Sequence, residues 1–251
     1  MIKVGITGQS GFIGTHLAQT VAAAADMELI PFEDSFFTDE AKLRAFVRSC
    51  DAIMHLAAMS RAPSEEVLYE TNTGLVRKLI AAMDAEDVSP HVLFASSVHE
   101  TRNTAYGRAK REGRTLLAQR AEARRNPFTA FIIPNVFGSG ARVFYASFIA
   151  NFAWQLNHSQ EPTIQVDAPI RLIYVDHLME IIVKRIRAVA TGDFSCDPPV
   201  ACIAIPCDFE KKVSEVLALF RSFKDVPPAP DADENVQNLY ATFISYADGE
   251  A

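Results

Sequence analysis

The chain has 251 residues, 49% hydrophobic and 22% charged, the composition of an ordinary globular protein with room for a sizeable core in one large domain or one domain plus a small lobe. Its formal net charge of -7 argues against nucleic acid or an anionic membrane surface as partner, since both repel a net negative protein, and any phosphate ligand must be held by local groups. No stretch approaches the roughly 20 apolar residues of a membrane span, and the N-terminus lacks the apolar core and cleavage site of a secretion signal, so a cytoplasmic protein is expected.

Along the chain, Ile2 to Thr7 reads as a buried β-strand, a glycine-punctuated turn follows, and a helical pattern begins near Phe12. Strands are expected at Met27 to Phe32 and Ala52 to Leu56, with a helix from Asp39 to Arg48 between them. The rhythm continues with a long helix at Glu65 to Ala85, a strand at His91 to Ala95, a helix at Thr104 to Arg124 and a strand at Phe128 to Ile133. Such alternation predicts an α/β fold of the Rossmann type, a doubly wound parallel sheet with helices on both faces. After Pro134 the rhythm changes: a Gly-rich loop (NVFGSGAR), a helix at Phe144 to Leu156, extended pieces at Thr163 to Val166 and Arg171 to Tyr174, and a helix at Val175 to Val189. Asp225 to Asp233 is a Pro-rich acidic loop, and Val236 to Tyr246 a last amphipathic segment. The division expected is a core over about 1–134 and, over about 135–251, a smaller substrate-binding lobe with elements returning to the core. Cys50, Cys196, Cys202 and Cys207 lack zinc-type spacing and read as reduced structural thiols, and no metal site is expected.

Three groups of residues carry chemistry. Gly8, Gly11 and Gly14 in TGQSGFIG lie between a strand and a helix, where glycine lets backbone N–H groups approach a pyrophosphate that the helix N-terminus also attracts. Gly8 would make the turn, Gly11 allow the close approach and Gly14 let the helix pack on the sheet, with Ser10, Phe12 and Ile13 alongside. The second strand ends in Phe32, Glu33 and Asp34, and an acid there, Glu33 above all, can hydrogen-bond a ribose hydroxyl, which favours NAD over NADP. Next, Tyr106 and Lys110 share one helix face, where an ammonium lowers the phenol's pKa of about 10 toward acid/base duty; the same pair is common on solvated faces. Last, Ser96 and Ser97 end the fourth strand, where open α/β sheets place ligands, although a serine there can simply end the strand.

These residues, with HLAA at His55 to Ala58, the Asn72 region (ETNTGLVRKLI), FASS, YGRAK, PNVFG at Pro134 to Gly138 and YVDHL at Tyr174 to Leu178, resemble the extended short-chain dehydrogenase/reductases, in the nucleotide-sugar epimerase/dehydratase/reductase group. The resemblance spans the whole chain. It implies that Ser97 hydrogen-bonds the substrate oxygen, that Tyr106 is the acid/base, and that Lys110 tunes it and binds the nicotinamide ribose. Leu56, Ala57 and Ala58 would lie along the cofactor, Pro134, Asn135 and Val136 would flank nicotinamide and substrate, and Arg61 would meet a substrate phosphate or sugar, unless it is a solvated loop charge. The family's dehydratases follow the catalytic hydroxyl with an acidic pair, whereas Val98 and His99 stand here, which speaks against 4,6-dehydration. His99 is a candidate second proton carrier at the substrate or a bystander. Ile132 replaces the usual arginine before PNVFG, and Arg171 only approximates the arginine that holds the nucleotide diphosphate.

SSVHETRNTAYGRAKREGRTLL, TIQVDAPIRLIYVDHLMEII and NLYATFISY are most similar to the reductase domain of capsular-polysaccharide F-type bifunctional enzymes, which reduce a 4-keto nucleotide sugar with NADPH. Those enzymes carry a further C-terminal cupin domain with no counterpart in these residues, so the expectation is a reductase acting alone or with a separately encoded partner activity. The function implied is reduction of a 4-keto nucleotide sugar with NAD(H) or NADP(H), in cell-surface polysaccharide biosynthesis. The alternatives are a nucleotide-sugar C4 epimerase, which uses the same residues, and a non-catalytic cofactor sensor, which has no need of a positioned Tyr–Lys pair. The resemblance also implies a homodimer formed through the Tyr106 helix and its predecessor.

Overall fold

The computed structural model describes residues 1–194 and 199–248. Six parallel strands, β1 (Ile2–Thr7), β2 (Met27–Ile30), β3 (Ala52–His55), β4 (His91–Ser97), β5 (Phe128–Ile133) and β8 (Val200–Ala204), form one sheet in the order β2-β1-β3-β4-β5-β8. β3 is buried throughout and β4 nearly so, which explains why these strands read as continuous apolar runs rather than alternating ones. The chain leaves β1 first toward β2 and later toward β3, so the C-terminal ends of β1 and β3 mark the switch point where open α/β sheets bind ligands.

The crossover helices are α1 (Phe12–Ala23), α2 (Glu40–Arg48), α3 (Glu65–Ala85) and α4 (Ala105–Arg124). Asp39, Ser64 and Thr104 cap α2, α3 and α4 by accepting the N–H groups of Lys42, Val67 and Gly107. α2, α3 and α4 bury Leu43, Phe46, Val47, Val76, Leu79, Met83 and Leu117 in one cluster with Ile53, Phe94 and Phe128 of the sheet. Gly113 lets α4 pack closely, since a Cβ there would lie 3.0 Å from Val76 and 3.1 Å from Phe94.

Contacts divide the chain into two compact units, Met1–Ile133 with Met179–Ile205, and Pro134–Leu178 with Pro206–Ala251. The second holds a three-stranded sheet in the order β6-β7-β9, from β6 (Asn135–Phe137), β7 (Pro169–Tyr174) and β9 (Phe209–Lys212). Helices α5 (Phe148–Asn157), α7 (Val213–Asp225) and α8 (Glu234–Ile244) belong to it, and α6 (Val175–Ala190) begins there and ends in the first unit. Its apolar centre includes Phe220, Phe223 and Phe243, whose ring centroids lie 5.3 to 6.0 Å apart.

Several sequence expectations are corrected. Asn135 to Phe137 are not loop but pair with β7, Asn135 opposite Leu172. The helix expected from Phe144 starts at Phe148: Phe144 has φ 57, its N–H goes to Asn151 Oδ1 at 2.6 Å, and Ser147 supplies the cap. Thr163 to Val166 form no strand, because β7 meets its antiparallel partner only from Pro169, and Val166 is 71% exposed. Strands β8 and β9 and helix α7 lie where no element was expected. Among the described cysteines only Cys50 is a core group, its thiol pushed up to about 12 by burial; Cys202 is exposed, Cys207 half-buried, and Cys196 lies outside the described residues.

Candidate active site

The turn between β1 and α1 is built by backbone proximity. Gly8 has φ 72, and a Cβ on it would lie 2.8 Å from the Ala57 nitrogen, so the glycine turn rests on the segment that leaves β3. At Gly14 a Cβ would be 2.1 Å from the Gly8 carbonyl oxygen, whereas at Gly11 it would meet only that oxygen, at 3.3 Å. Gly8 and Gly14 therefore hold the turn against its neighbours and Gly11 leaves its outer side open, where Ser10 is exposed and Phe12 and Ile13 are partly buried. No side chain caps α1 and no acid stands in its first turn, so its leading N–H groups and dipole are free to take a pyrophosphate.

Glu33 and Asp34 follow β2 at the surface. Glu33 takes a hydrogen bond from Ser35 at 3.2 Å, while the Ser10 hydroxyl reaches Asp34 at 3.4 Å, so Asp34 rather than Glu33 is the acid drawn to the glycine turn. After β3, Leu56 and Ala57, with Ala58 next in the chain, are tied down by Thr7: its carbonyl accepts the Leu56 N–H at 3.1 Å and its hydroxyl oxygen the Ala57 N–H at 3.3 Å. The same hydroxyl pairs with His55 Nδ1 at 2.7 Å, and burial pushes His55 down to about 3, so the ring is neutral. Asn72, buried in α3, clamps the continuing segment through both atoms of its amide, to Met59 N at 2.7 Å and Met59 O at 2.9 Å. Thr7 and Asn72 were not singled out as site residues; a buried asparagine in mid-helix was the available signal for the second. Arg61, two residues beyond Met59, is exposed.

At the end of β4, Ser97 Oγ accepts the His99 N–H at 3.2 Å and caps a short 3₁₀ turn, Val98–Thr101. α4 carries Tyr106 partly buried and Lys110 5% exposed. Lys110 Nζ donates to the Ala95 carbonyl at 2.7 Å and lies 5.6 Å from the Tyr106 ring centroid and 5.1 Å from that of Phe94. Desolvation pushes Lys110 down to about 8, which poises its proton near neutral pH. The Lys110 charge is also felt at His55, so the ends of β3, β4 and the face of α4 belong to one electrostatic neighbourhood. His99 is half-buried, and burial lowers its pKa as well.

In the second unit Pro134 is buried, and Asn135 and Val136 are partly exposed on β6. Asn135 Nδ2 donates to the Arg171 carbonyl at 3.3 Å on β7, and the exposed Arg171 side chain directs Nε to Cys207 Sγ at 3.4 Å.

A parallel sheet whose order reverses at β1, opened there by an uncapped helix and a glycine turn, defines a Rossmann-type α/β protein. Within that class, the chain belongs to the NAD dependent epimerase/dehydratase family, which it matches over residues 4–195. It is 27% identical over 252 residues to UDP-2-acetamido-2,6-beta-L-arabino-hexul-4-ose reductase of Pseudomonas aeruginosa, with 98% of this chain and 65% of that one covered. The structure of the capsular polysaccharide assembling protein CapF from Staphylococcus aureus is similar with a TM-score of 0.77 at 25% identity, covering 98% of this chain and 65% of that one. RMD from Pseudomonas aeruginosa, complexed with NADPH, shares the fold with a TM-score of 0.82 at 17% identity, over 99% of this chain and 100% of that one. The chain thus spans about two thirds of the length of the reductase and of CapF.

Proposed function

We propose that this protein reduces a 4-keto nucleotide sugar with a dihydronicotinamide cofactor. The observation that carries the reading is the buried Lys110 ammonium, fixed to Ala95 O and set beside the Tyr106 ring on the helix that follows Ser97. Support for the substrate class comes from the Pseudomonas reductase, whose name specifies a UDP-linked hexul-4-ose.

When bound, the dihydronicotinamide supplies the hydride that reduces the carbonyl carbon. Ser97 Oγ holds the carbonyl oxygen, Tyr106 delivers the proton that makes it an alcohol, and Lys110 stabilises the tyrosinate left behind until water reprotonates it. The N-terminus of α1, with Ser10, Gly11, Phe12 and Ile13, takes the pyrophosphate, and Leu56, Ala57 and Ala58 contribute apolar contacts to the cofactor. Asp34, helped by Glu33, accepts from an adenosine ribose hydroxyl and repels a phosphate there, so NADH is the preferred reductant, unlike the NADPH carried by RMD. In the first unit Arg61 and His99 are the candidates for binding the nucleotide sugar; in the second, taken by itself, Asn135 and Arg171 are.

Among the described residues no helix is long and apolar enough to cross a membrane, in keeping with an enzyme that works in the cytoplasm on a water-soluble nucleotide sugar. A homodimer through α3 and α4 is also proposed. Gly74 supports it: in mid-α3 a Cβ on it would meet nothing within 4 Å, so no contact among the described residues explains a residue that costs a helix about 1 kcal/mol against Ala. Light scattering after gel filtration should give twice the chain mass; the monomer mass would remove this part of the proposal.

The test is to incubate the protein with NADH or NADPH and a panel of UDP- and dTDP-linked 4-ketosugars, following cofactor absorbance and product mass. A product heavier by two hydrogens is expected. An isomer of unchanged mass formed from a UDP-linked 4-hydroxy sugar added to the panel would indicate C4 epimerisation instead, and no change with any of the panel would leave a sensor as the better reading.

A further inference from the structure

Glu100 lies in the turn after Ser97, with 13% of its side chain exposed. Its carboxylate accepts the Ser96 hydroxyl at 2.5 Å and both arms of the Arg114 guanidinium, Nε at 3.1 Å and Nη2 at 3.0 Å. Arg111 Nη1 donates to the Glu100 carbonyl at 3.0 Å. Tyr106, Lys110 and Arg114 recur at every fourth position of α4 and so share a face. That face makes two ties to the end of β4: Lys110 to Ala95 O, and Arg114 through Glu100 to Ser96. Ser97 is the next residue, and its hydroxyl is fixed within the same turn by the His99 N–H. Helix and turn are in backbone contact just after Tyr106, since a Cβ on Gly107 would lie 2.5 Å from the carbonyl oxygens of both His99 and Arg102.

We propose that Glu100, forked to Arg114 and bonded to Ser96, is a positioning residue that sets Ser97 Oγ against Tyr106. Two parallel charge-assisted bonds fix direction as well as distance, which a single lysine contact cannot do. Their anchor points lie on the two elements whose relative placement decides whether a hydroxyl and a phenol share one oxygen. Misplacing reacting groups by about 1 Å can cost about 100-fold in rate, so such a brace acts on turnover more than on binding. The proposal rests on the reductase reading above.

Glu100→Gln keeps the shape and removes the charge. With keto-sugar reduction by the parent protein established, kcat should fall by about 10- to 100-fold while KM for NADH stays within about twofold. The deuterium isotope effect from NADH labelled at the nicotinamide C4 should rise as hydride transfer becomes more rate-limiting, a readout that mere loss of folded enzyme would not move. Glu100→Asp should recover part of the loss. Unchanged kcat and isotope effect would overturn the positioning role and leave the reductase reading standing.

If the parent protein reduces no keto sugar, the reductase reading fails on its own, and hydrogen exchange decides the brace. Amides of 98–102 should then exchange at least about tenfold faster in Glu100→Gln, with α4 unchanged, and equal exchange overturns it. Should Glu100→Gln fail to fold, Arg114→Lys, which keeps the charge but loses the fork, takes its place in both measurements.

Discussion

The two units hold their candidate residues in different ways. In the first, the chemical groups are over-determined: Lys110 is buried with its ammonium on a main-chain carbonyl, Asn72 clamps Met59 at both ends, and Thr7 ties two successive N–H positions. In the second, Arg171 is exposed, and its Nε reaches the Cys207 thiol at 3.4 Å. A group that moves a proton must be pre-organised, whereas one that recognises a flexible diphosphate can adapt as the ligand arrives. The contrast predicts that substitutions of the buried proton-handling groups in the first unit act on kcat and on stability, and those of the exposed Arg171 in the second on KM.

The largest effect is expected at Tyr106. Tyr106→Phe should lower kcat by about 1,000-fold while cofactor binding, followed by quenching of NADH fluorescence, stays near its parent value. Unchanged turnover would remove the proton-transfer assignment.

Lys110→Met should cost about 100-fold in kcat and also alter the pH dependence of stability. The folded protein releases the Lys110 proton near about 8 against an ordinary value of 10.5, so between those values the unfolded chain binds more protons. Stability is therefore held down below pH 8 and rises as the pH climbs toward 10.5, by up to roughly 3 kcal/mol. Urea titrations across that window should show the rise in the parent protein and its absence in Lys110→Met; parallel curves would mean that the ammonium is not desolvated.

Arg171→Ala, in the second unit, should raise KM for the nucleotide sugar by about 10-fold and leave kcat and the melting temperature close to those of the parent. A fall in kcat with KM unchanged would blur the division of labour. The smallest effect is expected for Asp34→Ala, which should narrow the preference for NADH over NADPH by a few-fold, about what one exposed acid is worth. If the preference does not move, Glu33 or the backbone sets it.

The same division explains what the sequence made legible. α3 was expected at Glu65 to Ala85 and has those bounds, because Ser64 caps it and acids fill its first turn, signals carried within a few residues. The glycine turn and the Tyr106–Lys110 spacing are equally local. β8 was hidden because its strand is short, rich in Ala and Cys, and recognisable only by its pairing with β5. β9, FEKK, is polar at all but its first residue and exists as a strand through its antiparallel register with β7. α7 carries a helical period, Val213, Val216, Leu217 and Phe220, so this element is legible in the sequence although it was not expected. In the candidate site, the sequence put Glu33 ahead of Asp34, and the structure reverses the order through a contact with Ser10 that no local pattern shows. Glu100 gave no signal, since its partner Arg114 lies on another element and an acid in a turn is ordinarily solvated.

The account is tested most directly by label transfer. The protein is incubated with a UDP-linked 4-ketosugar and NADH carrying deuterium at both hydrogens of its nicotinamide C4, and the product sugar is weighed and its labelled carbon located. One deuterium at C4 of an alcohol product is the predicted result; an unlabelled isomer, or recovery of the unchanged ketone from protein shown to bind NADH, would contradict it.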